Sequence, residues 1–270
     1  MAYFKTRDGC NIFFECHRSG EPKPTIVFLN GIAQTTVNWA PMSHRLKNDF
    51  QVLVYDARAQ GRSDPGKLPL SLDTQLADLW DLLEYLGIDK AHLVGLSHGS
   101  YVALAFASRF PARVDRLILC SITAGATCRV KLNVASWLRI LKMEGMEAMT
   151  WAALPAFFSE NFLRRNETVL SKIVKAIVIR NRKDGLIAQL EATAAFTPPP
   201  ALAKDVHCPV LVLSASDDPM VTEEGAKELA ALCRGRHERL PGVGHSIPAE
   251  APQLFVDILE RFIFESGGKP

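Results

Sequence analysis

The sequence lacks the features that mark several protein classes. Its six cysteines include no Cys-x-x-Cys pair, and most of them lie in apolar segments, so we expect reduced, buried thiols. No apolar segment approaches the ~20 residues that are needed to span a bilayer. The first residues show no basic stretch followed by an apolar one, which a secretion signal would need. These absences predict a cytoplasmic protein that does not associate with membranes.

An excess of charge of one sign is lacking too. The chain carries 31 Lys or Arg and 29 Asp or Glu residues, and no run of basic residues is long enough to bind nucleic acid as a stripe. An apolar content of 48% in 270 residues is typical of a soluble globular protein with a sizeable core. That length suits one large α/β domain with an insertion, or two small domains.

Short apolar segments without polar alternation predict buried strands. A hairpin with a type I′ turn at Asp8-Gly9 is expected to come before them. The apolar segments are separated by stretches with helical spacing, which indicates a mostly parallel sheet covered by helices on both faces. The predicted strands are Thr25–Asn30, Gln51–Asp56, Ala91–Ser97, Val114–Ile122 and Pro209–Ser216.

The alternation of strands and helices stops between Ala124 and Val206. This segment shows helical patterning only, in four stretches, at residues 134–145, 146–165, 169–181 and 185–196. We expect residues 124–206 to form a helical cap on a core domain made of residues 1–123 and 207–270. A separate second domain is the alternative.

The residues Gly95-Leu96-Ser97-His98-Gly99 stand where a predicted strand becomes a helix. Such a sharp turn exposes the serine in a strained backbone geometry, which requires small neighbours like the two glycines. Backbone N–H groups at the start of the helix could stabilise a developing oxyanion. A plain glycine–serine turn is the alternative reading, so the motif needs a base and an acid elsewhere in the chain.

Candidates for that base and acid follow Ser97 along the chain. His245 lies in a glycine-rich turn before the last helix, where an imidazole can reach a serine hydroxyl and titrates near neutral pH. Asp217 and Asp218 end the last predicted apolar strand, and one of them could orient the imidazole. The order Ser, Asp, His is that of a known family of hydrolases.

The chain resembles the α/β-hydrolase fold family over nearly its whole length. The motifs that carry the resemblance, in the family's order, are KTRDGCNIFFE, VFLNG, YDARAQGRSD, GLSHGS, ASDDPMVT and PGVGHSIPAEAP. The resemblance implies an α/β-hydrolase fold in which Ser97 is the nucleophile, Asp218 the acid and His245 the base. Ala215 and Thr222 stand where the family usually has a glycine and a proline around the acid, and Asp218, directly before Pro219, still matches the family's position for the acid.

The same resemblance implies the other parts of a catalytic site. The backbone N–H groups of Ile32 and His98 would form the oxyanion hole, and neither a metal nor an organic cofactor is expected. The His98 side chain is expected to fill space. Asp56, Arg58 and Asp64 are expected to make local hydrogen bonds, although Ala59 replaces a glycine of their motif.

Within the family, the chain looks most like the 3-oxoadipate enol-lactonases and related carboxylesterases. Asn30 at the end of the oxyanion strand and the run EGMEAMTWAALPAFFSENF carry this similarity. It implies hydrolysis of a small-molecule ester or lactone by a monomer or small homo-oligomer. Alternatives are an acyltransferase of hydroxyacyl chains and a ligand receptor with slow turnover.

Two features suggest how a substrate would be bound. Residues 124–206 carry 12 Lys or Arg and 7 Asp or Glu residues, a net charge of +5, which would favour substrates with a carboxylate. Solvated helix faces are the alternative explanation. The aromatic residues expected to line a pocket are Trp39, Trp137, Trp151 and Phe158.

Overall fold

One mixed β-sheet forms the centre of the computed structural model, which describes residues 2–18, 22–67, 69–194 and 199–265. In these parts of the chain the strands are β1 Ala2–Lys5, β2 Asn11–His17, β3 Thr25–Leu29, β4 Gln51–Tyr55, β5 Ala91–Leu96, β6 Val114–Cys120, β7 Val210–Ala215 and β8 Arg236–Leu240. Their order across the sheet is β1-β2-β4-β3-β5-β6-β7-β8. β2 pairs antiparallel with β1 and β4, and all other neighbours are parallel, which confirms the predicted sheet.

Helices cover both faces of the sheet, as predicted. The α-helices outside the segment between β6 and β7 are α1 Ala40–Leu46, α2 Leu72–Tyr85, α3 His98–Arg109, α10 Glu223–Leu232, α11 Ile247–Glu250 and α12 Pro252–Phe264. Apolar side chains of α2, α3 and α10 pack on one face, and those of α1 and α12 pack on the other. No helix in the described parts of the chain is both long and apolar enough to cross a membrane.

Between β6 and β7 the described residues form no strand, and six α-helices lie there. These are α4 Cys128–Glu144, α5 Met146–Phe157, α6 Glu160–Arg165, α7 Leu170–Arg180, α8 Lys183–Ala194 and α9 Pro199–Ala203. The last predicted stretch, 185–196, ends in Ala195 and Phe196, which lie outside the described residues. α4 begins earlier than predicted because the Thr127 side chain caps it by accepting a hydrogen bond from the Val130 N–H. That these helices form a separate cap subdomain stays a prediction.

The prediction of a type I′ turn between β1 and β2 is wrong. Type I′ requires positive φ at both central residues, and in this turn only Gly9 has a positive φ, of 85°. The Gly9 N–H donates to Thr6 O at 2.9 Å, so the turn closes one residue earlier. The Asp8 carboxylate accepts bonds from the Thr6 hydroxyl at 2.5 Å and from an arginine.

That arginine is Arg58, which lies almost wholly buried between two carboxylates. Its guanidinium donates to both oxygens of Asp8 at 2.7 and 2.9 Å and to both oxygens of Asp78 at 2.8 Å. The bonds from Arg58 hold the pKa of Asp8 well below its usual value, whereas burial raises the pKa of Asp78. The expectation that Arg58 makes local hydrogen bonds is confirmed.

Removing this guanidinium should destabilise the fold strongly. We expect Arg58→Met to lower the free energy of unfolding by about 3–5 kcal/mol, because it leaves the buried Asp78 carboxylate without its partner. Urea unfolding at pH 7 measures the change. Arg45, which pairs with Asp257 at 2.9 Å on the surface, provides the matched control. Arg45→Met should cost less than about 1 kcal/mol. Equal losses in the two variants would contradict a stabilising role for the buried pairs.

Candidate active site

Ser97 stands in a strained turn at the carboxyl end of the central strand β5. Its backbone has φ 53° and ψ −111°, a conformation that non-glycine residues rarely adopt. Close contacts explain why glycines flank it. A Cβ atom on Gly95 would lie 2.4 Å from Ser100 N, and one on Gly99 would lie 2.2 Å from Leu29 O. The predicted strand-to-helix turn is therefore present, and only glycine fits at the two flanking positions.

Hydrogen bonds to β6 hold this turn in place. The Ser97 N–H donates to Cys120 O at 2.8 Å. Ser100 Oγ accepts a bond from the Cys120 N–H at 2.9 Å and lies 2.7 Å from Gly95 O. These buried hydrogen bonds attach the turn to both β5 and β6, so the backbone of Ser97 has little freedom to shift.

His245 pairs with Asp218 and not with Asp217. His245 Nδ1 lies 2.8 Å from Asp218 Oδ2, and both side chains are buried. The other oxygen of Asp218 accepts the N–H groups of Met220 at 2.8 Å and Val221 at 3.1 Å, which fixes the carboxylate. Asp217 is exposed and accepts a bond from its neighbour Ser216 at 2.6 Å.

The loop that carries His245 is attached to the segment between α5 and α6. The Phe157 ring stacks on the imidazole, with centroids 6.5 Å apart and an interplanar angle of 22°. The Ser246 N–H donates to Phe157 O at 2.9 Å. Glu250 accepts bonds from the N–H and the hydroxyl of Ser159 at 3.0 and 2.5 Å. The helices between β6 and β7 thus support the histidine directly.

Ser97, His98 and His245 open onto one cavity of about 890 Å³. Its walls are mainly apolar and come from α3, the segment between β6 and α4, α4, α8 and the segment after β7. The apolar residues that line it include Val130, Val134, Leu138, Leu190 and Met220. A second cavity, of about 120 Å³, lies between β8 and α12 and contains none of the predicted site residues.

None of the four aromatic residues predicted for the pocket is among those that line this cavity. Trp39 is fully buried under the sheet, where Nε1 donates to Asn30 Oδ1 at 2.8 Å. Trp137 packs on Phe157 within the helical segment, and Trp151 is exposed on α5.

Phe158 also lies elsewhere, because its ring stacks on Phe162 at 4.4 Å. Aliphatic residues of α4 take the expected place of the aromatic rings. The sequence signal that could have found them is the spacing of Val130, Val134 and Leu138, which repeats every four residues after the Thr127 cap.

The two predicted oxyanion donors have different surroundings. His98 is the first residue of α3 and lines the cavity. Ile32 follows the end of β3, is half-buried against the helical segment, and is not among the cavity-lining residues. The Gly31 N–H beside it donates to Gln34 Oε1 at 2.8 Å, which orders this loop.

The His98 imidazole is held in the protein interior. Nε2 lies 2.9 Å from Gln75 Oε1 and Nδ1 lies 3.3 Å from Thr193 Oγ1. Burial lowers the pKa of His98 to about 4, so the ring is neutral at pH 7. This agrees with the expectation that the side chain fills space.

Metal ligands do not cluster in the described parts of the chain: no three His, Cys, Asp or Glu side chains there are placed to hold an ion.

The buried state of His98 should make stability depend on pH. An unfolded histidine has a pKa near 6.5, so between pH 6.5 and about 4 the unfolded chain binds a proton that the folded chain does not. The free energy of unfolding should fall as the pH decreases through that window. We expect the loss between pH 7 and 5 to be about 2 kcal/mol smaller in His98→Gln, measured by urea unfolding. An unchanged slope would show that His98 does not contribute.

The pairing of His245 predicts different effects for the two neighbouring carboxylates. Asp218→Asn should lower kcat by about 10³-fold or more with the fold intact, because an amide cannot stabilise the charged imidazole. Asp217→Asn is the matched control and should change kcat less than about threefold. Kinetics of both variants, with circular dichroism, test this. A slow Asp217→Asn beside an active Asp218→Asn would reverse the assignment.

Comparison with known proteins finds similar sequences and structures. A family model described as the alpha/beta hydrolase fold matches residues 24–145. A protein from Caulobacter sp. (strain K31), named provisionally as the carbamate hydrolase RutD, is 27% identical over 96% of this chain and 97% of its own length.

Solved structures agree with the family match. The crystal structure of the enol-lactonase from Burkholderia xenovorans LB400 is 27% identical, covers 98% of this chain and 100% of its own, and superposes with a TM-score of 0.88. A thermophilic esterase from Thermogutta terrifontis is 25% identical, covers 97% of both chains, and has a TM-score of 0.86. The family match, these similarities and the order of the strands agree, and the chain has the α/β-hydrolase fold.

Proposed function

We propose that the protein is a serine hydrolase that cleaves small carboxylic esters or lactones through an acyl-enzyme. The observation that carries the proposal is the buried Asp218–His245 pair, which opens onto the same cavity as Ser97. Similarity to an enol-lactonase and to an esterase supports an enzyme that acts on ester bonds.

The first half of the reaction forms the acyl-enzyme. Ser97 Oγ attacks the carbonyl carbon of the ester while His245 Nε2 takes the hydroxyl proton. The backbone N–H groups of Ile32 and His98 stabilise the oxyanion, and Asp218 stabilises the charged imidazole through Nδ1–H. His245 then gives its proton to the leaving alcohol oxygen, which departs.

The second half repeats these steps with water. His245 takes a proton from the water as its oxygen attacks the acyl carbonyl. The tetrahedral intermediate collapses, Ser97 Oγ recovers a proton from His245, and the carboxylic acid leaves. In a lactone the leaving alcohol stays attached to the acyl group, so one hydroxy acid is released.

The cavity wall favours a mainly apolar substrate. The helices between β6 and β7 act as the cap in this proposal, and α4 contributes more aliphatic lining residues than any other helix. Of the 12 basic residues in residues 124–206, Lys131 alone is among the residues that line the cavity. The net charge of this segment therefore acts on a substrate mainly from a distance, and Lys131 is the one place for a direct contact with a carboxylate.

The role of Ser97 can be tested with an activity-based probe. A fluorophosphonate should label the wild-type protein and should not label Ser97→Ala, because the probe reacts only with an activated serine. Labelling that persists in Ser97→Ala would refute the assignment.

The role of His245 can be tested by kinetics. His245→Ala should lower kcat for p-nitrophenyl butyrate at least ~10³-fold.

Product analysis separates the alternatives on the same samples. Many turnovers with release of the free acid support a hydrolase. Transfer of the acyl group to an added alcohol in preference to water would support the acyltransferase. Labelling followed by a single slow turnover would support the receptor. A panel of esters, lactones, thioesters and carbamates then defines the substrate class.

A further inference from the structure

Three buried amide side chains connect α8 to the end of β3. They belong to Asn30, Gln60 and Gln189, which are 4%, 2% and 1% exposed. Asn30 Nδ2 donates to Tyr55 O at 3.0 Å and to Gln60 Oε1 at 3.2 Å. None of these side chains has a part in the mechanism described so far, although each occupies space that an apolar residue could fill.

The amide of Gln60 is the centre of this network. Nε2 donates to Gly31 O at 3.2 Å and to Gln189 Oε1 at 3.1 Å. Oε1 accepts from Asn30 Nδ2 and from the Ala57 N–H, each at 3.2 Å. Both hydrogens and both lone pairs of the amide are therefore in use. Because Gly31 O can only accept and the Ala57 N–H can only donate, the orientation of the Gln60 amide is determined.

The bond to Gly31 O fixes the direction of another group. Gly31 O and the Ile32 N–H belong to one peptide unit, which is planar and trans, so the two groups point in opposite directions. Gln60 Nε2 holds the oxygen from one side, together with the Gln34 N–H at 3.2 Å. The Ile32 N–H is consequently held pointing the other way.

We propose that Gln60 is a positioning residue that aims the Ile32 N–H at the oxyanion, and that Gln189 of α8 holds Gln60 in place. The inference rests on the proposed function, in which that N–H is one of two oxyanion donors. A donor that is fixed before the reaction stabilises the developing charge without a reorganisation cost.

The contacts of α8 with the core make the helical segment part of this hydrogen-bond network. Gln189 Nε2 donates to Ala59 O at 3.0 Å and to Gly185 O at 3.3 Å, which leaves Oε1 for Gln60. Gly185 packs so closely on the same turn that a Cβ atom would lie 2.2 Å from Ala59 O. Docking of α8 on the core therefore sets the position of Gln189, and through it the oxyanion hole.

Gln60→Met tests the first step of this proposal. Methionine has nearly the shape of glutamine but cannot bind Gly31 O. We expect kcat for p-nitrophenyl butyrate to fall about 10–100-fold while KM stays within about threefold, because the lost interaction acts in the transition state. Affinity for a trifluoromethyl ketone, which forms a tetrahedral adduct with an active serine, should fall by the same factor as kcat/KM.

Gln189→Met tests the second step. Its effect on kcat should have the same sign and be smaller, about 3–10-fold, because Gln60 keeps its bond to Gly31 O. The double variant should be no slower than Gln60→Met alone, since Gln189 acts through Gln60.

Asn166 provides the control. It is another amide of the helical segment, half-buried at the end of α6, and Nδ2 donates at 2.8 Å to Phe162 O in the same helix. This bond does not involve the loop that contains Gly31 and Ile32. Asn166→Leu should lower the unfolding temperature and leave kcat within about twofold.

Two results would overturn the proposal. One is a Gln60→Met variant with wild-type kcat and wild-type ketone affinity. The other is a fall in kcat that follows the loss of stability equally in the Gln60, Gln189 and Asn166 variants, which would indicate a structural role only. Failure of the proposed function would show in the wild-type protein, as absence of both labelling and turnover, and would overturn both proposals.

Discussion

The close approach of three backbone segments beneath Ser97 is the constraint on which the site depends. β5, the start of α3 and the end of β3 meet with no room for a side chain at Gly95 or Gly99. Because these segments touch, Ser97 takes its strained φ and its hydroxyl is presented at the end of the sheet. The same contact brings the end of β3 next to the start of α3, where the proposed oxyanion donors lie.

The helical segment between β6 and β7 forms part of the cavity wall and also holds groups of the proposed catalytic site in place. Phe157 and Ser159 hold the loop of His245, and Gln189 reaches the turn that holds the end of β3. One attachment supports the proposed base, and the other supports the proposed oxyanion hole. A displacement of this segment would therefore affect both of these proposed groups together, which ties the geometry of the site to the docking of the helices.

How much could be predicted from the sequence depended on the kind of signal. Apolar strands and their glycine-flanked ends leave local patterns, so the sheet, the turn at Ser97 and the candidates at Asp218 and His245 were predictable. Contacts between residues far apart leave no such pattern: Gln60 and Gln189 are 129 positions apart, and an isolated glutamine resembles any surface residue. Trp151 and Phe158 were misplaced for the same reason, because helical spacing does not tell which face meets the cavity.

The residues of α4 that line the cavity and the residues that support the proposed catalytic groups lie in different parts of the chain. Val130, Val134 and Leu138 face the cavity from one helix. Ser159, which bonds to Glu250 after His245, and Gln189, which bonds to Gln60, are later residues of the segment. The shape of the substrate space can therefore change by substitutions in a single helix while the catalytic support stays intact. In evolutionary and engineering terms, α4 is the part of this enzyme in which new selectivity can arise at the least risk to the chemistry.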